Sequence, residues 1–133
     1  MAAAIATAID STGVDVLMGI GGAPEGVLAA AALRCLGGAL QGKLLFRSDE
    51  ERARARTMGI EDPNRVYTER DLARGERIVF ATTGVTDGDL LTGVRFRADV
   101  ADTHSMVMRL QSGTISTIRT QHRFDHEPTY RLT

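Results

Sequence analysis

The residues best placed to do chemistry lie together in "GIGGAPEGV" (19–27), where Gly19, Gly21, Gly22 and Gly26 surround one proline and one carboxylate, Glu25. A glycine-rich turn that feeds a helix points several backbone N–H groups at one place, and the helix dipole adds partial positive charge there. Phosphate is a natural ligand for such a turn. A Walker A loop would end in Gly-Lys-Ser/Thr, which is absent, and a dinucleotide fingerprint starting at Gly19 and Gly21 would need a small residue where Pro24 stands. Glu25 is then the informative residue, because a carboxylate beside a bound phosphate repels it unless a cation lies between them. Mg²⁺ or Mn²⁺ with hard oxygen ligands resolves that conflict, and metal-assisted phosphoester hydrolysis places these three groups side by side. From spacing alone a second reading stands beside it: Glu25 sits in a first helical turn, where the dipole favours a carboxylate by about 0.3–1 kcal/mol.

The other reactive side chains form no comparable constellation. His104, His122 and His126 lack a zinc spacing, and Cys35, the single cysteine, falls in an apolar helical pattern that suits a buried, inert thiol. His104 reads as a hydrogen-bonded structural histidine, and His122 with Arg123 as a partly exposed strand end. Asp87 and Asp89 in "TDGD" are open to metal recruitment, but turn formation explains them first. Arg34 and Lys43 read as solvated, and Met58, Met106 and Met108 as core filler. No Ser-His-Asp arrangement is recognisable, so no catalytic residue is assigned.

These residues need a scaffold, and 133 residues with 43% hydrophobic and 25% charged content suit one domain. The net charge of -1 gives no general attraction to polyanions. Arg52, Arg54 and Arg56 are balanced by Asp49, Glu50 and Glu51, with no interleaved aromatic residues, so nucleic acid is not expected as a partner. "MAAAIATAID" lacks the basic start of a signal peptide, and no stretch has the roughly 18 apolar residues of a membrane span. A soluble, cytoplasmic protein is expected.

Along the chain, Ala2–Ile9 read as a helix and "VDVLMGI" as a buried strand. A helix follows from Pro24 to the Gly37-Gly38 stop. "ALQGKLLF" reads as a short strand, Ser48 and Glu51 open a charged helix, and Thr68 caps a short one that stops at Gly75. Beyond it, "RIVFATTGV", "GVRFRADV", "HSMVMRLQ" and "TISTIRTQHRF" read as strands separated by "TDGD", "ADVADT" and "QSGT". The fold class is therefore α/β, a mixed β-sheet flanked by helices, with residues 125–133 as a weakly held tail.

"VDVLMGIGGAPEGVLAAAALRCLGGALQGKL", with "FATTGVTDGDLLTGVRF", "THSMVMR", "SGT" and "HRF", resembles the C-terminal half of the class II fructose-1,6-bisphosphatases, in order and spacing, over residues 1–124. The resemblance implies a sugar-phosphatase fold of the lithium-sensitive, metal-dependent kind. It implies Mg²⁺- or Mn²⁺-dependent hydrolysis of the 1-phosphate of fructose 1,6-bisphosphate, in gluconeogenesis or carbon fixation, with sedoheptulose 1,7-bisphosphate a substrate of some members. It makes Glu25 a metal ligand and Gly22 a substrate-binding residue. The family's remaining metal ligands and most of its sugar contacts lie in an N-terminal half without counterpart here, so the chain alone is expected to be inactive. The expected partners are that N-terminal half and a second copy of the chain. The alternative expectation is a non-catalytic, truncated paralogue serving as a binding or assembly module.

Overall fold

The computed structural model describes residues 1–124. The predicted tail at 125–133, and His126 with it, lies outside the described residues. The elements in chain order are α1 (Ala2–Ala6), a 3₁₀ turn (Asp10–Thr12), α2 (Ala23–Leu36), β1 (Gln41–Lys43), α3 (Asp49–Thr57), β2 (Val66–Thr68), α4 (Glu69–Leu72), β3 (Val79–Thr83), β4 (Arg95–Arg97), β5 (Val100–Arg109) and β6 (Thr114–Arg123). β1 and β2 form a two-stranded sheet. In the second sheet β5 pairs with β3 and β4 along one edge and with β6 along the other. Every described pairing is antiparallel, where a mixed sheet was expected, because the strands after residue 78 follow one another through short reversals rather than helical crossovers.

The core lies where α1 and α2 cross one face of this sheet. Ile5, Ala32, Cys35, Phe80 and Met108 form one buried cluster, with Met106 and Leu110 packed against it. Alanines at 29, 30 and 32 are buried, and their small side chains let α2 approach α1 and the sheet closely. α2 stops at Gly37 with φ 77°, and the N–H of Gly38 returns to the Leu33 carbonyl at 2.9 Å, as the glycine pair predicts.

Three expectations fail for identifiable reasons. "VDVLMGI" forms no strand. A strand needs a ladder partner, none of the described strands supplies one, and Val16, Leu17, Met18 and Ile20 stand exposed, Met18 at 88%. Met58 ends α3 in solvent at 77% exposure, whereas Met106 and Met108 do fill the core. Arg34 is buried rather than solvated. Its guanidinium donates to the carbonyls of Ala73 at 2.8 Å and Gly75 at 2.5 Å, just beyond the end of α4, and it pairs with Glu76 at 3.4 Å.

The capping signals hold. The Ser48 hydroxyl accepts from the Glu51 N–H at 3.2 Å, although the Glu51 carboxylate returns to the Arg47 N–H rather than to that of Ser48. At α4 the reciprocal pair is complete, with Asp71 N–H to the Thr68 hydroxyl and Thr68 N–H to Asp71 at 2.9 Å. That backbone donor, then the Thr68 hydroxyl and the nearby Arg65, hold the Asp71 carboxyl below the usual carboxylate range. Thr68→Ala removes the N-terminal cap of α4, the helix beyond whose other end Arg34 binds the chain. It is expected to lower stability by about 1 kcal/mol, read as a shift in the urea midpoint at unchanged slope; an unchanged midpoint would show that the cap is dispensable.

Candidate functional site

The glycine-rich segment leads straight into α2. Gly22 is the N-cap, extended at φ -69° and ψ 148°, and Pro24 and Glu25 follow at the second and third helical positions. The third position is the one from which a side chain reaches back over the cap. Glu25 does so: its Oε2 occupies the space that a Cβ on Gly22 would fill, with Cδ 3.2 Å from that point. The obstacle to a side chain at Gly22 is thus the tip of a flexible, exposed glutamate. Any larger residue there would displace the carboxylate from this position over the cap. Gly19, Gly21 and Gly26 have open space around them, so nothing in the described fold requires their small size.

Gly22 and Glu25 thus lie against one another, with the carboxylate exposed at the positive end of a 14-residue helix. One carboxylate supplies one oxygen ligand or two, whereas Mg²⁺ takes near-octahedral coordination. No group of three His, Cys, Asp or Glu side chains able to hold a metal occurs among the described residues. The described residues do not complete a metal site.

Asp87 is not free to add a ligand. It accepts from the Gly93 N–H at 2.9 Å and from Arg95 at 2.8 and 2.6 Å, so that first the backbone donor and then the guanidinium hold its carboxyl below the usual range. This is the turn-forming role that its place in "TDGD" predicts. Asp89 stays exposed. The loop 84–94 closes on itself through Gly88 N–H to the Leu91 carbonyl at 3.0 Å and Val94 N–H to the Val85 carbonyl at 3.2 Å.

His104 is the hydrogen-bonded histidine its context predicts. Its Nδ1 accepts the Thr92 N–H at 3.1 Å, and since a backbone N–H can only donate, the neutral ring carries its proton on Nε2. That nitrogen is buried without a partner among the described residues. The exposed His122 meets the Thr103 hydroxyl at 3.1 Å. A polar groove of about 430 Å³ runs beside His104, lined also by Thr92, Arg95, Asp102, Arg119 and Gln121 and by neither Gly22 nor Glu25. Sequence reading did not find this groove. His104 faces Arg119, and Asp102 faces Gln121, only through the β5–β6 register.

No helix among the described residues is long and apolar enough to cross a membrane. The profile of the family described as "Bacterial fructose-1,6-bisphosphatase, glpX-encoded" matches residues 1–122. The chain is similar to proteins named "D-fructose 1,6-bisphosphatase class 2/sedoheptulose 1,7-bisphosphatase". It is 42% identical over 137 residues to those of Synechococcus sp. (strain JA-3-3Ab) and Gloeobacter violaceus, covering 94% of this chain and 40% of each relative. To that of Crocosphaera subtropica it is 44% identical over 142 residues, covering 98% of this chain and 41% of the relative. The chain thus spans about two fifths of the length of the curated relatives it matches.

Proposed function

Since the chain belongs to the bacterial, glpX-encoded fructose-1,6-bisphosphatase family, we propose that it serves as the C-terminal portion of a metal-dependent sugar bisphosphatase that releases the 1-phosphate of fructose 1,6-bisphosphate. Sedoheptulose 1,7-bisphosphate, a ketose bisphosphate of the same kind, is the second substrate proposed. The observation that carries this reading is the contact between Gly22 and Glu25, a carboxylate folded over a side-chain-free cap at a helix's positive end. Gly22 would line the sugar-phosphate pocket and Glu25 would provide one ligand to Mg²⁺ or Mn²⁺, the other ligands coming from outside the described residues. The cation, when bound, would polarise the phosphoryl group and offset its charge. The fold proposed for the completed enzyme is that of the lithium-sensitive, metal-dependent phosphatases.

A second reading is favoured by the lack of a metal-binding group of three among the described residues: the chain acts as a non-catalytic module that pairs with a partner. One experiment separates the two. Phosphate release from fructose 1,6-bisphosphate is measured with Mn²⁺ or Mg²⁺ for the chain alone and for the chain mixed with the N-terminal portion of a cyanobacterial relative. Release is expected only in the mixture, falling about 100-fold or more with Glu25→Gln. Equal release with Glu25→Gln would remove Glu25 from the site, and a stable but inactive mixture would favour the module.

A further inference from the structure

His104 holds the loop 84–94 closed on β5 from both ends. Its ring Nδ1 accepts the Thr92 N–H at 3.1 Å and meets the Thr92 hydroxyl at 3.2 Å, while its carbonyl accepts the Gly84 N–H at 2.9 Å. The two ends are pressed together, since a Cβ on Gly84 would run into the Thr92 carbonyl. The carbonyl bond is indifferent to protonation of the ring. The Nδ1 bond is not, because a neutral imidazole has one acceptor nitrogen and an imidazolium has none.

The surroundings of the closed ring give an added proton nothing in return. Nε2–H is already buried without a partner among the described residues, and a charged donor is costlier to leave so. Arg119 stands directly opposite His104 on β6, and Arg95 stands opposite Asp102, one step along the same face of the sheet. The carboxylates of this region are engaged, Asp102 with Arg97 and Gln121, Asp87 with Arg95 and the Gly93 N–H, while Asp89 points to solvent. β3 carries no charged residue. Of the two charged residues of α2, Glu25 folds over Gly22 and Arg34 binds the carbonyls of Ala73 and Gly75.

We propose that His104 is a pH-operated clasp: neutral, it holds the loop 84–94 against β5, and protonated, it gives up the Thr92 N–H and releases the loop. Histidine is the side chain whose charge changes within about pH 5 to 8. Because the Thr92 bond exists only with the neutral ring, its contribution is present at the alkaline end of that window and is lost as pH falls through it. Once protonated, Nδ1–H can donate to the Thr92 hydroxyl, which leaves the backbone N–H to water. The clasp uses neither Gly22 nor Glu25 and is independent of the phosphatase reading.

The test is amide hydrogen exchange on the full chain between about pH 8 and about pH 5, with each rate divided by its intrinsic rate at that pH. Protection across residues 84–94 is expected to fall about fivefold at the acid end, the factor one hydrogen bond carries, while that of α2 holds. His104→Asn puts an amide oxygen where Nδ1 stands, an acceptor at every pH, and is expected to flatten the loop's response. His122→Asn, at the exposed histidine that meets Thr103, is expected to leave the response intact. Loop protection that does not change, that falls in step with α2, or that responds equally in His104→Asn would overturn the proposal. If His104→Asn misfolds, the ring nitrogen resonances of the parent decide: protonation of His104 and loss of loop protection must share one midpoint, and a loop that opens while the ring is still neutral sinks the clasp.

Discussion

Met108→Ala is expected to cost about 2–5 kcal/mol, the range for truncating a large buried side chain to alanine. Met108 is 0% exposed and sits in one cluster with Ile5, Ala32, Cys35 and Phe80, so it joins β5 to both helices. With about 5–15 kcal/mol separating folded from unfolded for a typical domain, a loss of this size is a large fraction of the total. Met108→Leu keeps most of the volume and is expected to cost less than about 1.5 kcal/mol. Urea unfolding of the parent and both variants reads the difference. An alanine variant no less stable than the leucine one would mean that this cluster is not the folding core.

Gly84→Ala is expected to destabilise by about 3 kcal/mol, at the upper end of the overpacking range. Gly84 is buried at the end of β3. A Cβ there would press into the Thr92 carbonyl oxygen and lie 3.1 Å from the Leu91 Cβ. A flexible side chain would yield cheaply, but the obstacle is backbone. Moving Thr92 also disturbs its N–H bond to His104 and the neighbouring Gly93 bond to Asp87. The usual gain from stiffening the unfolded chain, about 0.4–1 kcal/mol for Gly→Ala, is too small to reverse the sign. Unfolding midpoints and the His104 ring resonances check it together, and a variant as stable as the parent with unmoved resonances would contradict the close packing of this loop.

What the sequence disclosed and what it withheld divide along physical lines. Signals that act within a few residues were legible: Pro24 and the Gly37-Gly38 pair bound α2, and Thr68 caps α4. The Gly22–Glu25 contact is equally local, since three residues on a helix bring a side chain back over the cap, but the sequence reading does not include it. Interactions decided by distant chain were not legible. "VDVLMGI" has strand-like residues but no ladder among the described strands, and Arg34 is buried because carbonyls 39 and 41 positions away need its guanidinium. "ADVADT" reads as a separator, yet β5 runs through most of it. The chain reverses instead at Ala98 with φ 46°, a left-handed turn without the glycine or asparagine that would have marked it. The groove beside His104 needed the β5–β6 register, which hydrophobic alternation alone does not supply.

Cys35 gives the core a chemical clock. It is the chain's sole cysteine, it belongs to the cluster around Met108, and burial holds its thiol above the usual range. An alkylating reagent in water reaches that sulfur when α2 lifts from the sheet. The ratio of its labelling rate to that of a short cysteine peptide then measures the fraction of molecules open at any instant, in unmodified protein and without denaturant.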